Sequence, residues 1–184
     1  LTNERMIHLI NDLLNVSHIE EGRYVYNLVE TNISSIIDSV ISIYKEEIQK
    51  RGLKLIIDIP PNVPPVMVDV EKIKLALQNL IDNAVKYTIS GSITISVTPS
   101  KDTIKVSVKD TGVGIPTHQQ PMIFKKFFRG ENVLKMETEG SGLGLFITKN
   151  IIEAHGGTIG FSSQEGQGTT FFFTLPVVKN QKIG

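Results

Sequence analysis

The sequence predicts an α/β (α+β) two-layer sandwich: a mixed β-sheet covered on one face by about three α-helices and preceded by one amphipathic helix. Three observations lead there. Apolar residues recur at three- and four-residue spacing near 3–20, 32–50, 69–87 and 142–155, as amphipathic helices require. Two neighbouring stretches, SITISVTP and TIKVSVKD, alternate apolar and polar residues, the pattern of strands with one buried face. Residues 111–140 carry four glycines and no sustained period, and a loop that long in a compact domain is usually functional.

Taken in order, the first helix sets Met6, Ile10, Leu13 and Val16 on one stripe, and Gly22 ends it as a C-cap. The stripe needs a cover, and self-association, docking on the domain and fraying all remain open for it. RYVYNLVE then reads as a strand, so a boundary falls after residue 22. The second helix runs from Asn32 to about Lys50 with Ile33, Ile36, Ile37, Val40, Ile41 and Tyr44 as its apolar face. Arg51-Gly52 stops it, LKLIIDI is a strand, and PPNVPP is a loop because proline fixes its torsion and lacks an N–H. Asp69 is the N-cap of a long helix to Tyr87, with Ile73, Leu77, Leu80, Ile81 and Ala84 buried. SITISVTP and TIKVSVKD make a hairpin, and GGTIGFSS and GTTFFFTLP are the closing strands. Residues 180–184 are expected to fray, and the opening Leu-Thr-Asn-Glu suggests a segment of a longer protein.

The bulk numbers exclude several function classes. Lys+Arg and Asp+Glu are both 19, so no bulk basic charge favours nucleic acid or anionic lipid, and any polyanion bound must be small or locally held. The absence of cysteine excludes disulfides, thiol chemistry and cysteine-ligated zinc. Apolar runs fall far short of the roughly 20 residues that cross a bilayer.

Within NLIDNAVKY, Asn79, Asn83 and Lys86 follow one another along one edge of the third helix, beside its buried stripe. An amide oxygen is a hard ligand suited to magnesium, and a lysine one turn on can meet the phosphates that the metal bridges. The same spacing also suits two solvated asparagines. DTGVGI puts an aspartate at a strand end before G-x-G, where the backbone can approach a ligand closely, although a plain turn has the same look. GSGLGL leads directly into a helix whose N-terminal amides can hold phosphate; no lysine follows, so it is not a P-loop. GQGTTFFF sets Gly166 and Gly168 ahead of a strand, as support for the pocket.

Together NLIDNAVKYT, DTGVGI, IFKKFFRG, GSGLGL and GQGTTF resemble, in order and interval, the ATP-binding domain of sensor histidine kinases, whose superfamily includes gyrase-, Hsp90- and MutL-type ATPases. The opening helix resembles the second helix of their dimerisation and phosphoacceptor hairpin. The resemblance implies the Bergerat ATP-binding fold, with a truncated hairpin helix at 1–22, a catalytic domain at 23–179 and a tail at 180–184. It implies that Asn83 coordinates Mg2+, with Asn79 one turn before it, and that Lys86 and Tyr87 line the ATP. Asp110 would bind adenine above a floor shaped by Gly112 and Gly114. Gly140, Gly142 and Gly144 would hinge the lid and present amides to phosphate, Phe128 and Arg129 would sit in the lid, and Ile115, Ser141, Leu143, Leu145 and Thr169 would be among the other cofactor-binding residues. Phe124 and Phe127 would pack the lid against the body and the hairpin. The implied activity is transfer of the γ-phosphoryl of Mg-ATP to a hairpin histidine, then relay to the receiver domain of a response regulator. The full protein would be a homodimer, this domain would be cytoplasmic, and no nucleic acid is implied.

The superfamily's hydrolases carry a water-activating glutamate where this chain has Asn79, and an amide is no general base. The chain is therefore expected to hold ATP without splitting it efficiently. The family's S-H-E-x-R-T-P acceptor motif is missing; SHIEEGR holds His18 at the wrong spacing, so this chain alone is expected not to autophosphorylate. His8 is expected on a helix surface, His118 in the lid loop, and His155 as a cation suited to the end of a helix. Three other readings stay open: a nucleotide-binding regulatory domain, a superfamily ATPase and an anti-sigma serine kinase.

Overall fold

Two of the helices begin where a side chain satisfies an orphan backbone donor. Asn32 caps α2 (Ile33–Lys50) by accepting from the Ser34 N–H at 2.9 Å, and Asp69 caps α3 (Val70–Tyr87) by accepting from the Lys72 N–H at 3.1 Å. α1 spans Asn3–Glu20 and ends in a Schellman turn, with the Arg23 N–H on the His18 carbonyl at 3.0 Å and Gly22 at φ 62°. α4 is Gly144–Ala154. The computed structural model describes residues 3–130 and 140–178, without the side chains at positions 3, 4, 5 and 8. The expected surface place of His8, residues 131–139 of the long loop and the expected frayed tail at 180–184 lie outside the described residues.

The sheet follows from the alternating stretches. It has five strands: β2 (Lys54–Asp58), β4 (Ser92–Pro99), β5 (Thr103–Asp110), β6 (Ile159–Gln164) and β7 (Gly168–Pro176), in the order β2-β4-β5-β7-β6. β2 runs parallel to β4 and the other pairs are antiparallel, so the sheet is mixed. Ile95, Val108 and Phe171 stand side by side in register, as do Val97, Val106 and Phe173, and all are buried. Their outward neighbours include Thr94, Ser107 and Lys109, which leaves the other face polar. α2, α3 and α4 cover the apolar face with Ile36, Ile37, Leu77, Leu80, Ile147 and Ile151, each fully buried; each such side chain contributes roughly 1.5–3 kcal/mol. This is the expected α+β sandwich.

Three local expectations change. RYVYNLVE is not one strand: only Val29–Thr31 pairs, as β1, with β3 (Val66–Val68), a strand too short for its alternation to be read after the proline-rich loop. Ahead of β1 the backbone spends a donor on a side chain instead, the Asn27 N–H on Asp69 Oδ2 at 2.9 Å. α4 begins at Gly144 and not at residue 142, because Gly142, at φ 70°, lies outside helical space.

His155 is not a cation at a helix end. It is 7% exposed, its Nε2 accepts from the Asp69 N–H at 3.0 Å, and its Nδ1 lies 2.7 Å from the Ile151 carbonyl. An N–H can only donate and a carbonyl can only accept, so the contacts select the neutral ring protonated on Nδ1. Tyr26 stacks edge-on against the same ring, centroids 5.1 Å apart, and burial, then the neighbouring Tyr24 and Asp69, push its phenol up to about 12. His155 thus ties together the end of α4, the cap of α3 and the segment leading from α1. Replacing it (His155→Phe) keeps the ring but leaves the buried Asp69 N–H unsatisfied. The expected loss is about 1–3 kcal/mol in urea unfolding at neutral pH, with an unchanged m-value.

Candidate functional site

β5 ends on Asp110, and the chain must then turn within a few residues of α3. The carboxylate is 6% exposed; its Oδ1 accepts from the Gly112 N–H at 2.9 Å and the Thr169 N–H at 3.2 Å. Oδ2 has no hydrogen-bond partner among the described residues, and Asp110 lines the large cavity beside it. Burial pushes the carboxyl above its ordinary range, while the two backbone N–H bonds pull it down. Gly112 is required here, because a Cβ at that position would lie 2.2 Å from the Tyr87 carbonyl.

The cavity is about 780 Å³, large enough for a cofactor-sized molecule. Of the expected site residues, Asn79, Asn83, Lys86, Tyr87, Asp110, Gly114, Ile115, Phe128, Arg129, Gly140, Ser141, Gly142, Gly144, Leu145 and Thr169 all line it. Two do not. Gly112 lies beneath the wall and serves Asp110, and Leu143 is 1% exposed in the core with its N–H spent on Ser141 Oγ at 3.1 Å.

The two asparagines of α3 play different parts. Asn79 Nδ2 donates to the Gly144 carbonyl at 3.1 Å and Thr148 Oγ1 at 3.2 Å, tying α3 to the first turn of α4. A carboxylate in that place has no proton to donate. The Asn83 carboxamide has no hydrogen-bond partner among the described residues and faces the cavity. Lys86 pairs with Asp82 one turn back, at 2.8 Å. No side chain among the described residues caps α4, so among them its first N–H groups have no side-chain acceptor.

The donor set fits a nucleotide with a hard cation: a buried carboxylate with a free oxygen, an unpartnered amide oxygen, and an uncapped helix start. No group of three or more His, Asp or Glu side chains among the described residues is arranged to hold a metal, so protein ligation would rest on the amide.

Sequence reasoning misses several lining residues. Asp82 stands between the two asparagines and is legible, once the helix is drawn, as the i,i+4 partner of Lys86. Tyr44 and Gln119 line the cavity at positions that no motif marks, and Asp12 reaches it from α1. Phe124 packs against Phe161, centroids 6.0 Å apart, and Phe127, 63% exposed at φ 60°, lies beside Leu13 and Val16 of α1. Its backbone conformation goes with Gly142, where a Cβ would lie 2.8 Å from the Phe127 carbonyl carbon. His18 is exposed, and neither it nor His118 lines the cavity.

Residues 68–179 match the family described as histidine kinase-, DNA gyrase B-, and HSP90-like ATPase. The sensor histidine kinase WalK of Bacillus subtilis is 36% identical over 97% of this chain and 30% of its own length. Among solved structures, full-length ShkA in complex with AMPPNP superposes with a TM-score of 0.83 at 25% identity, over 95% of this chain and 36% of that one. The catalytic domain of the histidine kinase ThkA superposes with a TM-score of 0.73 at 30% identity, over 83% of this chain and 99% of that one. The chain spans less than half the length of the first curated relatives it matches.

Asp110→Asn removes the buried charge while keeping an oxygen for both backbone donors. Because burial raises the folded-state pKa, the folded parent holds the proton more tightly than the unfolded chain, and it loses stability as pH rises from the unfolded value through the folded one. The variant is therefore expected to outlast the parent in urea at pH 7, with the difference gone by about pH 3.

Proposed function

Because the chain belongs to the histidine kinase-, DNA gyrase B-, and HSP90-like ATPase family, we propose that it is the ATP-binding catalytic part of a sensor histidine kinase. In that role it passes the γ-phosphoryl of Mg-ATP to a histidine on a dimerisation hairpin, for relay to a response-regulator aspartate. On this reading residues 1–22 are the second hairpin helix, residues 23–179 are the catalytic domain, and the whole protein is a homodimer. The observation that carries it is one cavity that gathers the free oxygen of the buried Asp110 and the unpartnered amide of Asn83.

Asp110 Oδ2 would accept from the exocyclic amine of adenine, a donor that guanine lacks at that place. The Asn83 amide oxygen would hold magnesium. Magnesium, when bound, neutralises charge on the phosphate oxygens. Lys86 would exchange the Asp82 carboxylate for phosphate, and the start of α4 with Gly140, Gly142 and Gly144 would offer donors close to it. Asn79 supplies no general base, and its amide is committed to Gly144 and Thr148, so the residues position ATP without activating water. The receiving imidazole would bring the nucleophile. That favours a kinase over a hydrolase.

The test is incubation with γ-labelled Mg-ATP, following binding, free phosphate and protein-bound label. The chain alone is expected to bind ATP, release little phosphate and carry no label. Addition of a hairpin bearing the acceptor histidine should yield acid-labile label. Asn83→Ala should weaken magnesium-dependent ATP binding about tenfold or more, roughly 1.4 kcal/mol, and leave adenosine binding unchanged. Rapid phosphate release would make the protein an ATPase and overturn the reading.

A further inference from the structure

α1 precedes the matched region, yet Leu9 and Asp12 form part of the cavity wall. Asp12 Oδ2 accepts from the Ser141 hydroxyl at 2.6 Å, and Ser141 Oγ in turn accepts from the Leu143 N–H. Eight residues on, about 12 Å along the helix, Glu20 pairs with Lys126, whose ammonium also lies 5.0 Å from the centre of the Phe146 ring. Val16, between the two polar contacts, is 6% exposed. α1 is thus held at two points on the segments that flank the cavity, while Met6, Ile10 and Leu13 stay exposed.

The Asp12 contact stands in conflict with the ligand proposed for the cavity. Ser141 has one proton to give and gives it to a carboxylate. Phosphates seated beside Gly140, Ser141 and Gly142 would need that donor and would meet the Asp12 charge across a few ångströms, where like charges repel. Adenosine brings no such charge. We propose that α1 is a latch read by nucleotide phosphate: docking through Asp12 and Glu20 weakens nucleotides in proportion to their phosphate charge, and phosphate binding in turn frees α1. Linkage makes the two effects equal in size. The proposal rests on the reading of the cavity as an ATP site.

Two measurements test it. The first is calorimetric titration of the parent, Asp12→Asn and Glu20→Gln with adenosine, ADP and ATP, magnesium present throughout. Asp12→Asn is expected to tighten ATP about three- to tenfold and ADP less, leaving adenosine unchanged. Glu20 is not in the cavity wall, so tightening of ATP by Glu20→Gln reports docking and not local charge. The second exploits the absence of cysteine: spin labels on Asn11→Cys and Glu153→Cys, both at exposed positions, read the distance from α1 to α4. That distance should lengthen with Mg-AMPPNP and stay fixed with adenosine.

Weaker ATP binding in Asp12→Asn would make the carboxylate a cation ligand and overturn the latch. An unchanged label distance at saturating nucleotide, or a Glu20→Gln variant that binds ATP like the parent, would overturn it while leaving the ATP site intact. A parent that binds adenosine, ADP and ATP not at all would sink the site reading and the latch together.

Discussion

A carboxylate almost without solvent exposure must be held by fixed donors, and the design of this site follows from meeting that demand at Asp110. Its two donors are backbone N–H groups, one from Gly112 just after β5 and one from Thr169 at the start of β7, 59 residues beyond the aspartate. Both segments must come close to make them. A side chain on Gly168 would lie 2.1 Å from the Asp110 carbonyl, and one on Gly112 would strike the end of α3. The glycines on either side of the aspartate therefore let the sheet, the turn and the helix converge on one oxygen, while the other is left for a ligand. Burial makes that carboxylate costly to ionise, so the protein gives up stability to keep it there.

The same economy of donors explains the unusual amides on α3. Asn79 faces a carbonyl and a hydroxyl of α4, and only an uncharged amide can donate to both without introducing a second buried charge beside the site. Asn83, one turn later, has no such neighbour and keeps its oxygen for the cavity. One residue type at i and i+4 thus serves two purposes, and the difference lies in what α4 presents to each.

Around this centre the remaining contacts are joints. His155 joins the end of α4 to the cap of α3 and to the chain arriving from α1, in a ring state that its two partners dictate. Asp69 caps α3 with one oxygen and holds the Asn27 N–H with the other, so the orientation of the long helix and the path of the preceding segment are set at one residue. α1 adds contacts on the far side, through Ser141 and Lys126. A change in the cavity therefore has a short physical route to α1, which precedes the residues that match the family.

Cavity residues such as Tyr87, Phe128, Arg129 and Thr169 were legible only through the resemblance of the motifs that hold them, whereas the sequence by itself determined the helices, the hairpin and the mixed α+β architecture. Each of those depends on local periodicity, capping or glycine placement, and these are properties of neighbouring residues. The N-caps at Asn32 and Asp69 and the buried stripe from Ile73 to Ala84 are of this kind. Tertiary structure alone decided the rest. The pairing of Val29–Thr31 with Val66–Val68, the neutral state of His155, the exposure of Phe127 and the reach of Asp12 into the cavity all depend on groups brought together from distant parts of the chain. The pattern around a residue tells which face it will bury. It does not tell which donor or charge will meet it there, because that partner is chosen by packing.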